Sequence, residues 1–325
     1  MSFTCHSRPP DDLDGKFRRT IRFVSVGGDP PPTTHRLPIS SGSLGVLDWG
    51  GDGPDLLFLH PNGFCAGLFD PLARRLRGRW RVVGIDLRGH GSSDDAQSPL
   101  DLRFDRLARD VVEALDLLGV GDLDVVGQSL GGGVGVLVDR LCPGRIRRLV
   151  LAEAVAFAPT GLQAGDLREN PMSAAARRRR SRWPNEAAAR ERFRARVPLR
   201  DLGSEFLDAY LRWGTEINHA GEVVLCCRPE TEAQVFEISA TPDGAPDAWS
   251  HLDDVTASAA VVVGAGSDLP RVWFDDQAAR MGAGVTSLPG GHFMLQTEPD
   301  DVAQIVNRLL TGLTPTAGDL QNAGV

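Results

Sequence analysis

Short, continuously apolar runs recur along the chain at Leu44 to Trp49, Leu56 to Leu59, Val82 to Ile85, Leu123 to Val126, Ile146 to Leu151, Ala259 to Val263 and Val285 to Leu288. Helical patterns near residues 66 to 77, 103 to 118, 131 to 141, 272 to 281 and 299 to 311 alternate with them. A strand that is apolar on both faces has to be covered on both faces, and parallel strands need a helical crossover between them. The alternation therefore predicts an α/β fold, a mostly parallel sheet covered by helices on both faces.

One interval breaks the pattern. The stretch 155–254 has helical and loop character, and it contains the run Arg177-Arg178-Arg179-Arg180 together with Trp183, Tyr210, Trp213 and Trp249. Its length and place predict a helical lid inserted into a core formed by 37–154 and 255–315. Residues 1–36 are polar and Pro-rich, including Pro30-Pro31-Pro32, and read as an irregular arm; residues 316–325 read as a flexible tail.

Composition narrows the function classes. The 325 residues carry a net charge of −8, which argues against a surface built to contact nucleic-acid phosphates. Hydrophobic content of 42% with 24% charged residues fits a soluble globular chain. The five cysteines, Cys5, Cys65, Cys142, Cys226 and Cys227, show neither C-x-x-C spacing nor a His-rich companion, so a disulfide framework and a metal site are both unexpected. The first residues mix acids and bases where a signal peptide needs an apolar block, and no apolar run is long enough to span a bilayer. These features predict a cytoplasmic protein with no membrane partner.

Chemistry concentrates at Gly127-Gln128-Ser129-Leu130-Gly131, directly after one apolar run and before the small-residue stretch Gly131-Gly132-Gly133. A strand entering a helix through so tight a turn needs glycines two residues to either side of the serine, and the serine hydroxyl is pushed outward. That hydroxyl is a poor nucleophile unless a histidine takes its proton and an acid fixes the histidine's tautomer. Two candidates follow in order: Asp268, in Val263-Gly264-Ala265-Gly266-Ser267-Asp268, and His292, in Pro289-Gly290-Gly291-His292-Phe293. Each lies just past a strand, at the edge where the loops of an open parallel sheet converge. A developing oxyanion needs two backbone N–H donors. Leu130, opening the helix, is one candidate; the loop His60-Pro61-Asn62-Gly63-Phe64 supplies the other, with Asn62 preferred over Gly63 and Phe64 and with Pro61 excluded for want of an N–H.

His60-Pro61-Asn62-Gly63, Asp86-Leu87-Arg88-Gly89-His90-Gly91-Ser92-Ser93, Gly127 to Gly131, Gly264 to Asp268 and Gly291-His292-Phe293 occur in this order, and with them the chain resembles the α/β-hydrolase superfamily. The likeness is to the lidded serine hydrolase branch with an HGxP-like oxyanion loop, and it spans about residues 37 to 312. It departs in having Pro61 where the family usually has glycine. It also offers Glu153, which follows the strand after the elbow helix, as an alternative acid, because some similar lactone hydrolases draw their carboxylate from that position; Asp268 is preferred. Relatives that cleave epoxides or haloalkanes place an aspartate at the elbow, and Ser129 excludes both readings. In similar proteins the segment around His90 braces a loop, so His90 is expected to be structural, and His60 to organise its own loop.

The expectation is thus a serine hydrolase that cleaves a carboxylic ester or lactone of a small molecule through an acyl-enzyme, without a cofactor. An acyltransferase, thioesterase or carbon–carbon bond hydrolase could use the same triad, and a non-catalytic small-molecule-binding protein could share the fold. Phe64, Trp183, Tyr210 and Trp213 are candidates to line a substrate site. The arginine run reads as the solvated face of a lid helix, or as a clamp for an anionic group.

Overall fold

The computed structural model describes residues 30–158 and 170–312. Most of the expected N-terminal arm and all of the expected tail lie outside the described residues. Eight strands, β1 (Thr33–Ile39), β2 (Gly42–Gly50), β3 (Asp55–Leu59), β4 (Arg81–Ile85), β5 (Leu123–Gln128), β6 (Ile146–Ala152), β10 (Ser258–Gly264) and β11 (Gly284–Leu288), form one sheet in the order β1-β2-β4-β3-β5-β6-β10-β11. From β4 through β11 the neighbours are parallel; β1 pairs β2, and β2 pairs β4, antiparallel. The first strand starts four residues before the expected order at Leu37. Thr33 to Arg36 pair with Gly45 to Asp48, and this edge hairpin rests on a half-exposed alternation that a search for continuous apolar runs passes over.

Alternation of side chains along the inner strands sorts the core into two layers. Leu56, Phe58, Val126, Val150 and Ala152 face one side, with helices α1 (Asp70–Leu76) and α10 (Pro299–Leu310). Leu57, Leu59, Val125, Leu149 and Leu151 face the other, with α2 (Phe104–Leu117) and α3 (Leu130–Leu141). Every residue of β5 is buried, so this strand is the centre of the molecule. Helix α9 (Arg271–Met281) covers β10 through Phe274 and Ala278.

Between β6 and β10 the chain builds an insertion. It contains α4 (Pro171–Arg177), α5 (Glu186–Arg194), α6 (Ser204–Trp213), α7 (Pro229–Ser239) and α8 (Ala245–Ser250). It is not purely helical: β7 (Arg182–Trp183), β9 (Val223–Leu225) and β8 (Thr215–Ile217) form a small antiparallel sheet in that order. Trp183, Phe193, Phe206, Tyr210 and Trp213 join the core layer of α1 and α10, whereas Ala248 and Leu252, at and after α8, join the layer of α2 and α3. Among the described residues no helix is long and apolar enough to cross a membrane.

Candidate active site

The sheet order brings the candidate residues to one rim. Central β5 leads directly into Ser129; β3, on one side, into His60 and the loop after it; β6, on the other, into Glu153. Register fixes the level of each, since Leu59 pairs with Gly127, and Gln128 pairs with Ala152.

Ser129 has φ 54° and ψ −118°, a left-handed conformation unfavourable for a side chain other than glycine's. The turn is held from both sides: the Ser129 N–H donates to Ala152 O at 3.0 Å, and its carbonyl accepts from the N–H groups of Gly132 and Val155 at 3.0 and 2.9 Å. The flanking glycines are required by space. A Cβ at Gly127 would stand 2.5 Å from Gly131 O, and one at Gly131 would stand 2.2 Å from Leu59 O.

The imidazole of His292 pairs with Glu153, not with Asp268. His292 Nδ1 lies 2.7 Å from Glu153 Oε2, a distance at which Nδ1–H donates to the carboxylate and Nε2 is left as the basic nitrogen. Glu153 is fully buried, and its other contacts are donors: Gly264 N–H to Oε1 at 2.8 Å and Ser267 Oγ–H to Oε2 at 2.9 Å. A carboxylate taken out of water needs such a set of hydrogen-bond partners. Asp268 is exposed, one strand further from β5. The preferred candidate, Asp268, is therefore not the partner of His292: β6 adjoins β5, and the positive φ of Glu153, 43°, sets that residue at the turn leaving β6. The loop after β10 contributes donors to Glu153 instead of a carboxylate to the histidine.

A pair of glutamines ties the backbone of His292 to the residue that precedes Ser129. Gln128, the residue before Ser129, donates through Nε2 to His292 O at 2.9 Å and to Gln296 Oε1 at 3.0 Å; Gln296 Nε2 returns a bond to Gln128 Oε1 at 2.8 Å. Both side chains are fully buried. The motifs do not single these residues out, although a glutamine closing a fully buried strand is a signal, because its amide has to find partners.

Two of the three N–H candidates in the loop after β3 are engaged in bonds. Gly63 N–H donates to His90 Nε2 at 3.1 Å and Phe64 N–H to Pro61 O at 3.3 Å, so both are engaged. Of the three loop candidates, that leaves the Asn62 N–H. The Leu130 N–H opens α3 and has no acceptor one turn earlier in the helix. His60 and His90 are buried bases that organise the loop, as expected. His60 accepts from the Leu87 N–H at 2.9 Å and donates from Nδ1 to Pro61 O at 2.9 Å; burial and the neighbouring His90 push its pKa down to about 3. His90 Nδ1 lies 3.0 Å from Arg88 O, and burial pushes its pKa down to about 4.

The aromatic candidates divide. Phe64 stacks between Tyr210 and Phe293, with ring centroids 4.9 Å away in both directions, and Phe293 meets the His292 ring edge-on at 5.3 Å. Phe64 is thereby next to the imidazole's own neighbour, which suits a lining residue. Trp183 instead packs edge-on against Phe193, and Trp213 lies over Gly67, where a Cβ would come within 2.2 Å of it. Both indoles are buried, Trp183 against the insertion's Phe193 and Trp213 against the core at Gly67. Tyr210 is also buried, and its hydroxyl donates to Gly63 O at 3.2 Å.

Two of the four arginines are committed to internal carboxylates. Arg177 pairs with Glu230 and Glu237 of α7 at 2.8 and 2.6 Å, and Arg179 pairs with Glu232 at 2.7 Å. A cleft of about 740 Å³ beside them is lined by Arg36, Asp94, Arg177, Arg228 and Glu230, where each of the three arginines faces a carboxylate, and none of Ser129, Glu153 and His292 lines it. Among the described residues no cluster of His, Cys, Asp and Glu is arranged to hold a metal ion, and the four described cysteines are free thiols.

The comparisons with known proteins agree with this geometry at the level of the fold. The chain is 36% identical over 101 residues to the pimeloyl-[acyl-carrier protein] methyl ester esterase of Nitrosomonas europaea, covering 31% of this chain and 37% of that protein. It is 31% identical over 126 residues to a serine hydrolase-like protein of Danio rerio, covering 38% and 39%. The matched stretches thus span under half the length of these curated relatives. Among solved structures, an E-2-(acetamidomethylene)succinate hydrolase superposes with a TM-score of 0.74 at 21% identity over 86% of this chain and 99% of that one. The enol-lactonase of Burkholderia xenovorans gives 0.62 at 21% identity over 85% and 100%. Residues 56–305 match the model of the alpha/beta hydrolase family, a span that runs from the strand before the oxyanion loop through the helix after His292, and the chain belongs to that family.

Proposed function

We propose that this protein is a serine hydrolase that cleaves a carboxylic ester or lactone of a small, partly apolar molecule. The observation that carries the reading is the 2.7 Å contact between His292 Nδ1 and buried Glu153, on a histidine whose carbonyl is bonded to the residue preceding Ser129. In this reading Ser129 Oγ attacks the substrate carbonyl carbon as its proton passes to His292 Nε2, and Glu153 stabilises the imidazolium. The Leu130 and Asn62 N–H groups bind the oxyanion. The imidazolium protonates the leaving alkoxide, leaving an acyl-serine; water, deprotonated by the same imidazole, then releases the acid and restores the hydroxyl. The sequence of steps needs no metal or organic cofactor, and the insertion acts as a lid that excludes water and shapes the acyl pocket. Two similar proteins, a methyl ester esterase and an enol-lactonase, support oxygen esters as the first class to try.

The test is a panel of short-chain p-nitrophenyl esters, lactones and thioesters, with and without an added alcohol acceptor, using Ser129→Ala as control. Ester or lactone hydrolysis that falls by about 10⁶-fold in the variant is the expected result. Full activity in Ser129→Ala would overturn the mechanism. Product formed only with the acceptor would mean an acyltransferase, and turnover of thioesters alone a thioesterase.

A further inference from the structure

The oxyanion loop is gripped from two sides, and one of them is the insertion. From the core, His60 Nδ1–H donates to Pro61 O at 2.9 Å. In a trans peptide C=O and N–H point in opposite directions, so that bond sets where the Asn62 N–H is aimed. His90 accepts the next N–H, that of Gly63. From the insertion, the Asn62 side chain donates to Glu232 O on α7 at 2.9 Å, and the Tyr210 hydroxyl on α6 donates to Gly63 O at 3.2 Å. Arg179 joins these two anchors. Its Nη2 donates to the Tyr210 oxygen at 2.6 Å and its Nη1 to Glu232 Oε2 at 2.7 Å. Gly63, at φ 78°, lets the loop come this close, since a Cβ there would lie 2.8 Å from the Glu232 carboxylate. Tyr210 is 1% exposed and its ring packs on Phe64 and Phe193, so the hydroxyl has little freedom to point elsewhere.

We propose that Tyr210, held by Arg179, is a positioning residue of the oxyanion hole, through which the insertion fixes the Asn62–Gly63 backbone in its donor geometry. The inference rests on the serine hydrolase reading. It goes beyond that reading in assigning part of the transition-state alignment to the insertion and in taking Tyr210 out of substrate contact. The Gly63 carbonyl is the point of attachment: without the phenol, the loop is pinned at Gly63 from the core side only, and the preceding N–H can swing away from the oxyanion. Misplacement of a reacting group by an ångström is enough to lose about a hundredfold in rate.

The decisive variant is Tyr210→Phe, which keeps the ring packing and removes only the bond. With an ester that the unsubstituted enzyme turns over, kcat should fall by about tenfold to a hundredfold while KM changes by about twofold or less, short of the loss from deleting a donor outright. The inhibition constant of a trifluoromethyl ketone, which forms a tetrahedral adduct on serine, should rise by the same factor as kcat/KM falls. Arg179→Met should give part of that loss, because Arg179 holds the phenol oxygen. Unchanged kcat and ketone affinity in a folded Tyr210→Phe protein would overturn the proposal, as would a rise in KM at constant kcat, the mark of a residue that only lines the pocket. Absence of Ser129-dependent turnover in the unsubstituted protein is a separate outcome: it would overturn the hydrolase reading and this inference with it.

Discussion

At the scale of single residues, the choice between two carboxylates decides the proposed mechanism. Glu153→Gln keeps the size of the side chain, but an amide cannot hold the imidazole in the same tautomer with the same charge; kcat should fall by about 10⁴-fold. Asp268→Asn should leave steady-state rates nearly unchanged. The sequence pointed to the serine and the histidine because glycines and strand ends flag both, but it preferred a carboxylate that does not meet the histidine because the conformation of residue 153 and its three donors are tertiary facts. A hint lay in Ala152-Glu153-Ala154, where a charge stands among small residues straight after an apolar strand. The buried histidines give a pH prediction. Both titrate in the unfolded chain near 6.5, yet in the fold their pKa values are lowered to about 3 for His60 and about 4 for His90. Above pH 6.5 they are neutral in both states and the full stability is present. As pH falls below 6.5 the unfolded chain takes up protons that the folded one refuses, so stability falls toward pH 4. Guanidinium midpoints between pH 7.5 and 4.5 should show this decline, and His90→Gln should make it shallower; an unchanged slope would remove His90 from the account.

At the scale of elements, the site depends on how strand ends are tied to each other. The reciprocal amides of Gln128 and Gln296 join the end of β5 to the segment after β11, and Gln296 O further accepts from the Gly203 N–H at 2.8 Å, just before α6. Replacing either glutamine by leucine strands the other amide in a dry interior at a cost of about 1–3 kcal/mol. The double leucine variant should cost less than the sum of the two, which chemical denaturation of all four proteins would measure as a coupling energy. The elements themselves were largely legible. Each of the seven apolar runs is a strand of the sheet, because burial on both faces leaves that pattern and little else does. What escaped were elements whose pattern is weak: the edge strand β1, and the two- and three-residue strands β7, β8 and β9, which are too short to impose a period and exist through their pairing.

At the scale of the molecule, the insertion and the sheet share one apolar layer. Phe206 is fully buried in the cluster that also holds Leu56, Phe58 and Ile305. Phe206→Ala should therefore lower stability by about 3–5 kcal/mol and yet leave a single unfolding transition, whereas an independently folded lid would melt in a step of its own. Calorimetry distinguishes the two. The order of parts along the chain has its own consequence. Residues 60 to 153 hold the anion-binding loop, the alcohol and the acid, and only the base, residue 292, comes after the insertion. In the proposed mechanism, then, the hydroxyl of a nascent chain stays unactivated until β11 docks at the sheet's far edge and delivers the imidazole.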